Sequence, residues 1–162
     1  MISKIRHTLS ERTRIQVTET DRIPAAVLIP VYREGDEYFL IFTRRTYQVS
    51  THKGQISFPG GTRDQGDNSM LDTALRECEE EIGIPSSAVD ILGELDDFPT
   101  HVSYFIISPF IGVIPWPSSF TISETETSEI IHVPVSALLN ARCFSEGTEI
   151  VDDKLVLLLK LI

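Results

Sequence analysis

Three glutamates, Glu77, Glu80 and Glu81, stand three and four residues apart in the run Arg76-Glu77-Cys78-Glu79-Glu80-Glu81, just downstream of a Pro59-Gly60-Gly61 turn. On a helix this spacing stacks the three carboxylates on one stripe, where like charges repel by roughly 0.2–0.5 kcal/mol per pair. A cation must offset that. Arg76 is one candidate, because its planar fork can hold a carboxylate at two points. A hard divalent ion, which prefers oxygen ligands, is the other. Glu79 falls off the stripe toward solvent. A charge run of this kind can also be no more than a solvated helix face, and the spacing by itself leaves the alternatives open.

The helix that carries them is easily bounded. Asn68 or Ser69 is suited to cap it, no Gly or Pro interrupts the run to Ile82, and Gly83 followed by Pro85 stops it. This gives about four turns. Leu71, Ala74, Leu75, Cys78 and Ile82 form an apolar stripe, so the helix must lie against a core.

Strands are expected around it. The apolar run from Ala25 to Val31 reads as a buried strand, Arg33-Glu34-Gly35-Asp36 as a hairpin turn, and Tyr38 to Thr43 as the returning strand. Arg44 to Gly54 is polar and leads to a strand at Gln55 to Phe58. Beyond the helix, Val89 to Leu95 and Tyr104 to Ile114 read as strands, the latter carrying Pro109, which suggests an edge or a bulge. Ile130 to Val133 reads as a strand, Val135 to Asn140 as a short helix, and residues 150 to 162 as a hairpin around Asp152-Asp153. Residues 1–20 form an N-terminal helix or arm, with Ile2, Ile5 and Leu9 at helical spacing. Hairpins interleaved with one strong helix argue for an α/β fold with a mixed sheet packed between helices.

A chain of 162 residues fits one domain, and its 41% apolar and 23% charged composition is ordinary for a globular protein. The formal net charge of −10 argues against a nucleic-acid backbone as partner, since no basic stripe is present. An anionic substrate must then be met by a metal or a local basic patch. The cysteines, Cys78 and Cys143, form neither a CxxC pair nor a disulfide framework, which fits a reducing cytoplasmic setting. Residues 1–14 have no apolar core suited to a signal peptide. Apolar runs such as Leu155 to Leu159 fall far short of the ~20 residues needed to cross a bilayer, so no membrane partner is expected.

Arg76-Glu77-Cys78-Glu79-Glu80-Glu81-Ile82-Gly83-Ile84 resembles the second half of the Nudix hydrolase signature, G-x5-E-x7-R-E-U-x-E-E-x-G-U, where U is bulky and apolar. A strict count puts Thr62 and Asn68 where Gly and Glu belong. One extra residue between turn and helix restores the fit, with Gly61 as the glycine and Asp67 replacing the glutamate. Upstream, Thr43, Arg45, Gly54, Phe58, Pro59, Gly60 and Gly61 match in register a second pattern, L-L-T-x-R-[SA]-x3-R-x3-G-x-V-x-F-P-G-G. It is carried by Nudix enzymes that cleave coenzyme A, a subgroup that also tends to carry the one-residue insertion. Ile56 is a near match there, while Thr46 and Ser50 depart from it.

The resemblance covers roughly residues 23–140, with the Nudix box at about 60–84. It implies a Nudix-type α/β/α sandwich with a mixed sheet, taken here as one domain over 1–162. It further implies a coenzyme A diphosphatase yielding 3′,5′-ADP and 4′-phosphopantetheine, dependent on Mg²⁺ or Mn²⁺ held by Glu77, Glu80, Glu81 and the carbonyl of Gly61. Arg76 would orient a glutamate. The general base is either Glu77 or one of Glu124, Glu126 and Glu129, with Glu126 first because of its eight-residue offset from Pro134. Arg45, His52, Lys53, Gly60 and Gly61 are the expected substrate contacts, with Arg44 completing a basic cluster. Thr100 and His101 could face the cleft, His7 and His132 read as structural, and Cys78 as a small core residue. The expected partner is a small coenzyme A-like diphosphate, and the chain a monomer or homodimer. Competing readings are a Nudix diphosphatase for another nucleotide (a nucleotide sugar, dinucleotide or damaged nucleotide) and a non-catalytic nucleotide-sensing module.

Overall fold

The computed structural model describes residues 1–18, 21–46, 54–100, 104–140, 144–151 and 154–161, the last two stretches by their backbone. Helix α1 (Ile2–Glu11) precedes a long strand β1 (Ile23–Glu34), which turns at Gly35 into β2 (Glu37–Arg45). Two short strands, β3 (Ile56–Ser57) and β4 (Gly60–Thr62), lead into helix α2 (Met70–Ile82). Then follow β5 (Asp90–Glu94), β6 (Phe98–Pro99), β7 (Phe105–Val113), β8 (Thr127–Pro134), the single turn α3 (Val135–Leu138), and β9 (Phe144–Val151) with β10 (Lys154–Leu161). The last two pair antiparallel as a separate two-stranded sheet, its first strand beginning at Phe144, well before the expected hairpin at 150 to 162; Asp152 and Asp153 lie outside the described residues.

The main sheet is mixed. β1 runs parallel to β7 from Ile23↔Phe105 to Val31↔Val113, and antiparallel to β2 from Val31↔Leu40 to Glu34↔Glu37. β8 pairs with the far edge of β2. On the edge they share, β1 and β2 part beyond Val31 and Leu40, and the segment from Ile56 to Thr62 fills the wedge. There β3 bonds β2 at Thr43↔Ser57 and β4 bonds β1 at Ala26↔Gly61. The geometry of the site follows from this divergence.

Pro109 does not mark an edge. β7 has β1 on one side and β5 and β6 on the other. The Pro109 carbonyl accepts from the Leu95 N–H at 2.9 Å, so its missing donor faces the same flank, where β7 changes partner from β5 to β6. The bulge lies in the neighbouring strand, between Ile91 and Gly93.

α2 is capped by Ser69, with Asp72 N–H bonded to the Ser69 hydroxyl at 3.1 Å and Ser69 N–H to the Asp72 carboxylate at 3.0 Å. It ends on Gly83, whose φ of +75° is left-handed backbone that glycine adopts without strain. Ala74, Cys78 and Ile82 are fully buried against Ala26, Leu28, Ile41 and Phe110 of the sheet. The small Ala74 and Cys78 leave the bulk to Leu28, Ile41 and Ile82, each contributing about 1.5–3 kcal/mol on burial. Leu71 and Leu75 are only half-buried, and the polar Thr73 is fully buried in the same helix. α1 lays Leu9 over Gly93, where a Cβ would meet the Leu9 side chain at 2.8 Å. The arm after α1 is tied to the β5–β6 region by Arg12 to Asp96 and by Arg14 to both Glu94 and Asp97.

Candidate functional site

The wedge between β1 and β2 sets Gly60 and Gly61 beneath α2, as residues of the extended strand β4 and not as the expected turn. A Cβ on Gly60 would lie 2.3 Å from the Ala26 carbonyl oxygen, and one on Gly61 only 2.4 Å from Oε1 of Glu77. The first glycine is thus required by the sheet, and the second by the helix carboxylate resting on it.

Arg76 organises the acidic stripe. Its Nε and Nη2 donate to the two oxygens of Asp67, Nη2 also to the Thr62 carbonyl at 3.0 Å, and Nη1 to Glu77 at 2.9 Å and Glu80 at 3.0 Å. Asp67 is buried and further accepts from the Thr73 hydroxyl and the Asp64 N–H. The Arg76 bonds hold the Asp67 carboxyl far below the usual carboxylate range, despite its burial. This explains the buried Thr73, a polar residue that helical periodicity gave no reason to place inside.

The three glutamates have different environments. Glu80 is exposed and Glu79 turns away to bond Ser86. Glu77 is half-buried, and its carboxyl is raised by burial, opposed by Arg76 and reinforced by Glu80 and Glu126. Glu81 is 3% exposed, so it belongs to the buried face of α2. Burial pushes its carboxyl up to about 7, against the pull of the Thr43 hydroxyl, Arg45 and the Gly60 N–H.

Among the described residues no three acidic, His or Cys side chains converge closely enough to hold an ion as they stand; Arg76 spans Glu77 and Glu80 instead. The donor set still suits Mg²⁺ or Mn²⁺. It consists of carboxylates on one rigid helix beside Gly61, whose missing Cβ leaves room for them.

A cavity of about 450 Å³ opens beside β4. Ala25 and Val27 of β1 with Phe105 and Ile107 of β7, alternate residues of two paired strands, give it an apolar surface; Phe58, stacked on Phe42 at 4.3 Å, adds an aromatic ring. Arg45, Gly60, Gly61, Glu77 and Glu126 complete the polar side. Of the acidic trio only Glu126 reaches this cavity. Glu129 is paired with Arg44 at 2.8 Å, and Glu124 is exposed. Arg44 and Arg45 do not form a cluster, because successive strand residues face opposite ways: Arg45 faces the cavity, and its Nη1 lies 4.0 Å from Glu81.

His52, Lys53, His101 and Cys143 lie outside the described residues. Thr100 turns its hydroxyl to the backbone of Phe105, and His132 bonds the Tyr32 hydroxyl at 2.9 Å within an aromatic group that includes Trp116 and Phe120. Cys78 is buried, and its thiol is pushed up to about 12 chiefly by burial, which rules out a nucleophile at neutral pH. The sequence did not announce the apolar cavity wall. Strand alternation marks two faces, but which one lines a cavity depends on the neighbouring strands.

A mixed sheet with a Gly-Gly strand wedged under an Arg-Glu-x-x-Glu-Glu helix defines the Nudix type of α/β/α sandwich. The profile of the NUDIX domain matches residues 22–151, and the chain belongs to that family. It is 41% identical over 111 residues to a protein of Yersinia enterocolitica described as an uncharacterized Nudix hydrolase NudL, covering 68% of this chain and 56% of that one. It is 39% identical over 116 residues to the NudL of an Escherichia coli O7:K1 strain, covering 72% and 59%. The chain therefore spans under two thirds of the length of these relatives. In fold it is similar to an Ap4A hydrolase of C. elegans (TM-score 0.59, 16% identity, 72% of this chain and 83% of that one). The NUDIX domain of Shewanella oneidensis NrtR complexed with ADP ribose is comparable (TM-score 0.58, 15% identity, 75% and 78%). No helix among the described residues is long and apolar enough to cross a membrane.

Proposed function

We propose that this chain is a metal-dependent diphosphatase that cleaves coenzyme A or a close derivative to 3′,5′-ADP and 4′-phosphopantetheine. One observation carries the reading: Arg45, Phe58, Gly60 and Gly61, which match the coenzyme A pattern, line the same cavity as Glu77 and Glu126. The cavity's apolar wall suits the adenine ring or the pantetheine arm, and its polar side suits the diphosphate.

A phosphoanhydride resists attack because its anionic oxygens repel a nucleophile. Mg²⁺ or Mn²⁺, held by Glu77, Glu80, Glu81 and the Gly61 carbonyl, would neutralise those oxygens when bound. Arg76 keeps Glu77 and Glu80 aligned on one side of α2. Glu126 accepts the proton of the attacking water as its oxygen bonds to phosphorus. The bond to the bridging oxygen then breaks, and the leaving phosphate departs with the electron pair. Arg45 offers a cation to the phosphates.

A second reading, a Nudix diphosphatase for a nucleotide lacking the 3′-phosphate, draws on the engagement of Arg44 with Glu129. Arg45 is then the only cation lining the cavity among the described residues. The test is a panel of coenzyme A, 3′-dephospho-coenzyme A, ADP-ribose and a dinucleoside polyphosphate, each assayed with Mg²⁺ and with Mn²⁺. Coenzyme A is expected to show the highest kcat/KM. Arg45→Ala should weaken its binding by about 1–3 kcal/mol and penalise the dephospho form less. Equal cleavage of both forms, equally affected by the substitution, supports the second reading. Binding without turnover of any member would mark a sensing module.

A further inference from the structure

The Thr-x-Arg segment of β2 is not spent on the cavity alone. Ile41, Thr43 and Arg45 occupy alternate positions on the face of β2 that meets α2, and Thr43 is buried at 1% exposure. Its hydroxyl stands 3.1 Å from Oε2 of Glu81, 38 residues along the chain, and 3.4 Å from the carbonyl oxygen of Ser57. A hydroxyl has one proton to donate, and the nearer acceptor, the Glu81 carboxyl, takes the stronger bond. The other carboxylate oxygen of Glu81 faces Arg45 at 4.0 Å.

We infer that Thr43 is a positioning residue for Glu81: together with the Gly60 N–H, the bond to Oε2 fixes the rotation of a buried carboxyl and so sets which oxygen is presented toward Gly61 and Glu77. The inference rests on the proposed metal-holding role of Glu81. Glu77 and Glu80 are steadied from the helix itself, by Arg76. Glu81 reaches away from Arg76, and its orientation comes from the sheet. Thr43 thereby couples the β2 segment to the acidic helix. Partners behind a metal ligand typically change metal affinity about 10–100-fold when removed.

The measurement is the dissociation constant of Mn²⁺ from the full chain, read from the electron paramagnetic resonance of free Mn²⁺ without substrate, alongside the melting temperature of the metal-free protein. Thr43→Val keeps the shape and removes the hydroxyl, Thr43→Ala removes it with less bulk, and Thr43→Ser restores it. Val and Ala are expected to weaken Mn²⁺ about 10-fold or more, and Ser to stay within about threefold of wild type by retaining the bond. Glu81→Gln serves as the reference. If it weakens Mn²⁺ while Thr43→Val and Thr43→Ala do not, Thr43 is merely a satisfied core residue and the inference falls. If Glu81→Gln binds Mn²⁺ like wild type, the metal-holding role of Glu81 falls first and takes the inference with it.

Discussion

Asp67 and Arg76 meet in a two-point ion pair, Nε to Oδ1 and Nη2 to Oδ2, each at 3.1 Å. The aspartate is one methylene shorter than the glutamate of the Nudix signature and sits one residue out of strict count. The chain folds so that the shorter side chain still reaches the fork, leaving Nη1 for Glu77 and Glu80. Asp67→Asn keeps the shape and halves the pair. With Arg76 a quarter exposed and holding other partners, the expected loss is about 2 kcal/mol rather than the full cost of breaking a buried pair. Urea denaturation of the metal-free protein measures it, and a change under about 0.5 kcal/mol would show the pair to be dispensable.

The two glycines should fail differently. Gly60→Ala forces a Cβ against backbone, the Ala26 carbonyl and Val27 Cα, and is expected to cost about 1–3 kcal/mol of stability. In Gly61→Ala the atoms nearest the new Cβ all belong to the carboxylate of Glu77, the end of a side chain. This variant should fold nearly as well but bind Mn²⁺ more weakly. Melting curves paired with metal titrations separate the two, and equal effects on both readouts would refute the distinction.

Glu126→Ala is expected to lower kcat by about 10²–10⁴ with a smaller change in KM, as for loss of a general base. Glu124→Ala and Glu129→Ala should stay near wild type, since one is exposed and the other bonded to Arg44. Steady-state kinetics on all three decides. Three unchanged rates would return the base to Glu77.

Asp97 supplies a pH-dependent term. Its side chain is only 6% exposed. Burial alone would raise its carboxyl, but the Val17 N–H, the Ser108 hydroxyl and Arg14 outweigh that and leave it lowered. A carboxyl lowered in the folded state contributes stability that is present above its unfolded pKa of about 3.9 and lost as pH falls through the folded value. Comparing urea midpoints of wild type and Asp97→Asn, the gap should be widest near neutral pH and close below about pH 4. A gap that is constant with pH would count against this linkage.

Much of the molecule was legible in the chain itself. The bounds of α2 follow from Ser69, Gly83 and an uninterrupted run, because capping and backbone freedom are local properties. The Arg76 stripe follows from helical spacing, and the approximate strands from apolar runs and turns. What the tertiary structure alone decided concerns partners distant in sequence. Pro109 is interior because its flank falls at the handover between β5 and β6, which no local pattern encodes. Arg44 and Arg45, adjacent in sequence, are separated by strand alternation once β8 supplies Glu129 to one of them. Glu126 is singled out from its neighbours by the line β8 takes across β2. Glu81 is buried beside Thr43 because β1 and β2 diverge and admit the Gly60-Gly61 strand between them. Spacing along a chain fixes what is near along a helix or strand; which carboxylate is desolvated, and by whom it is held, is set when separate elements pack.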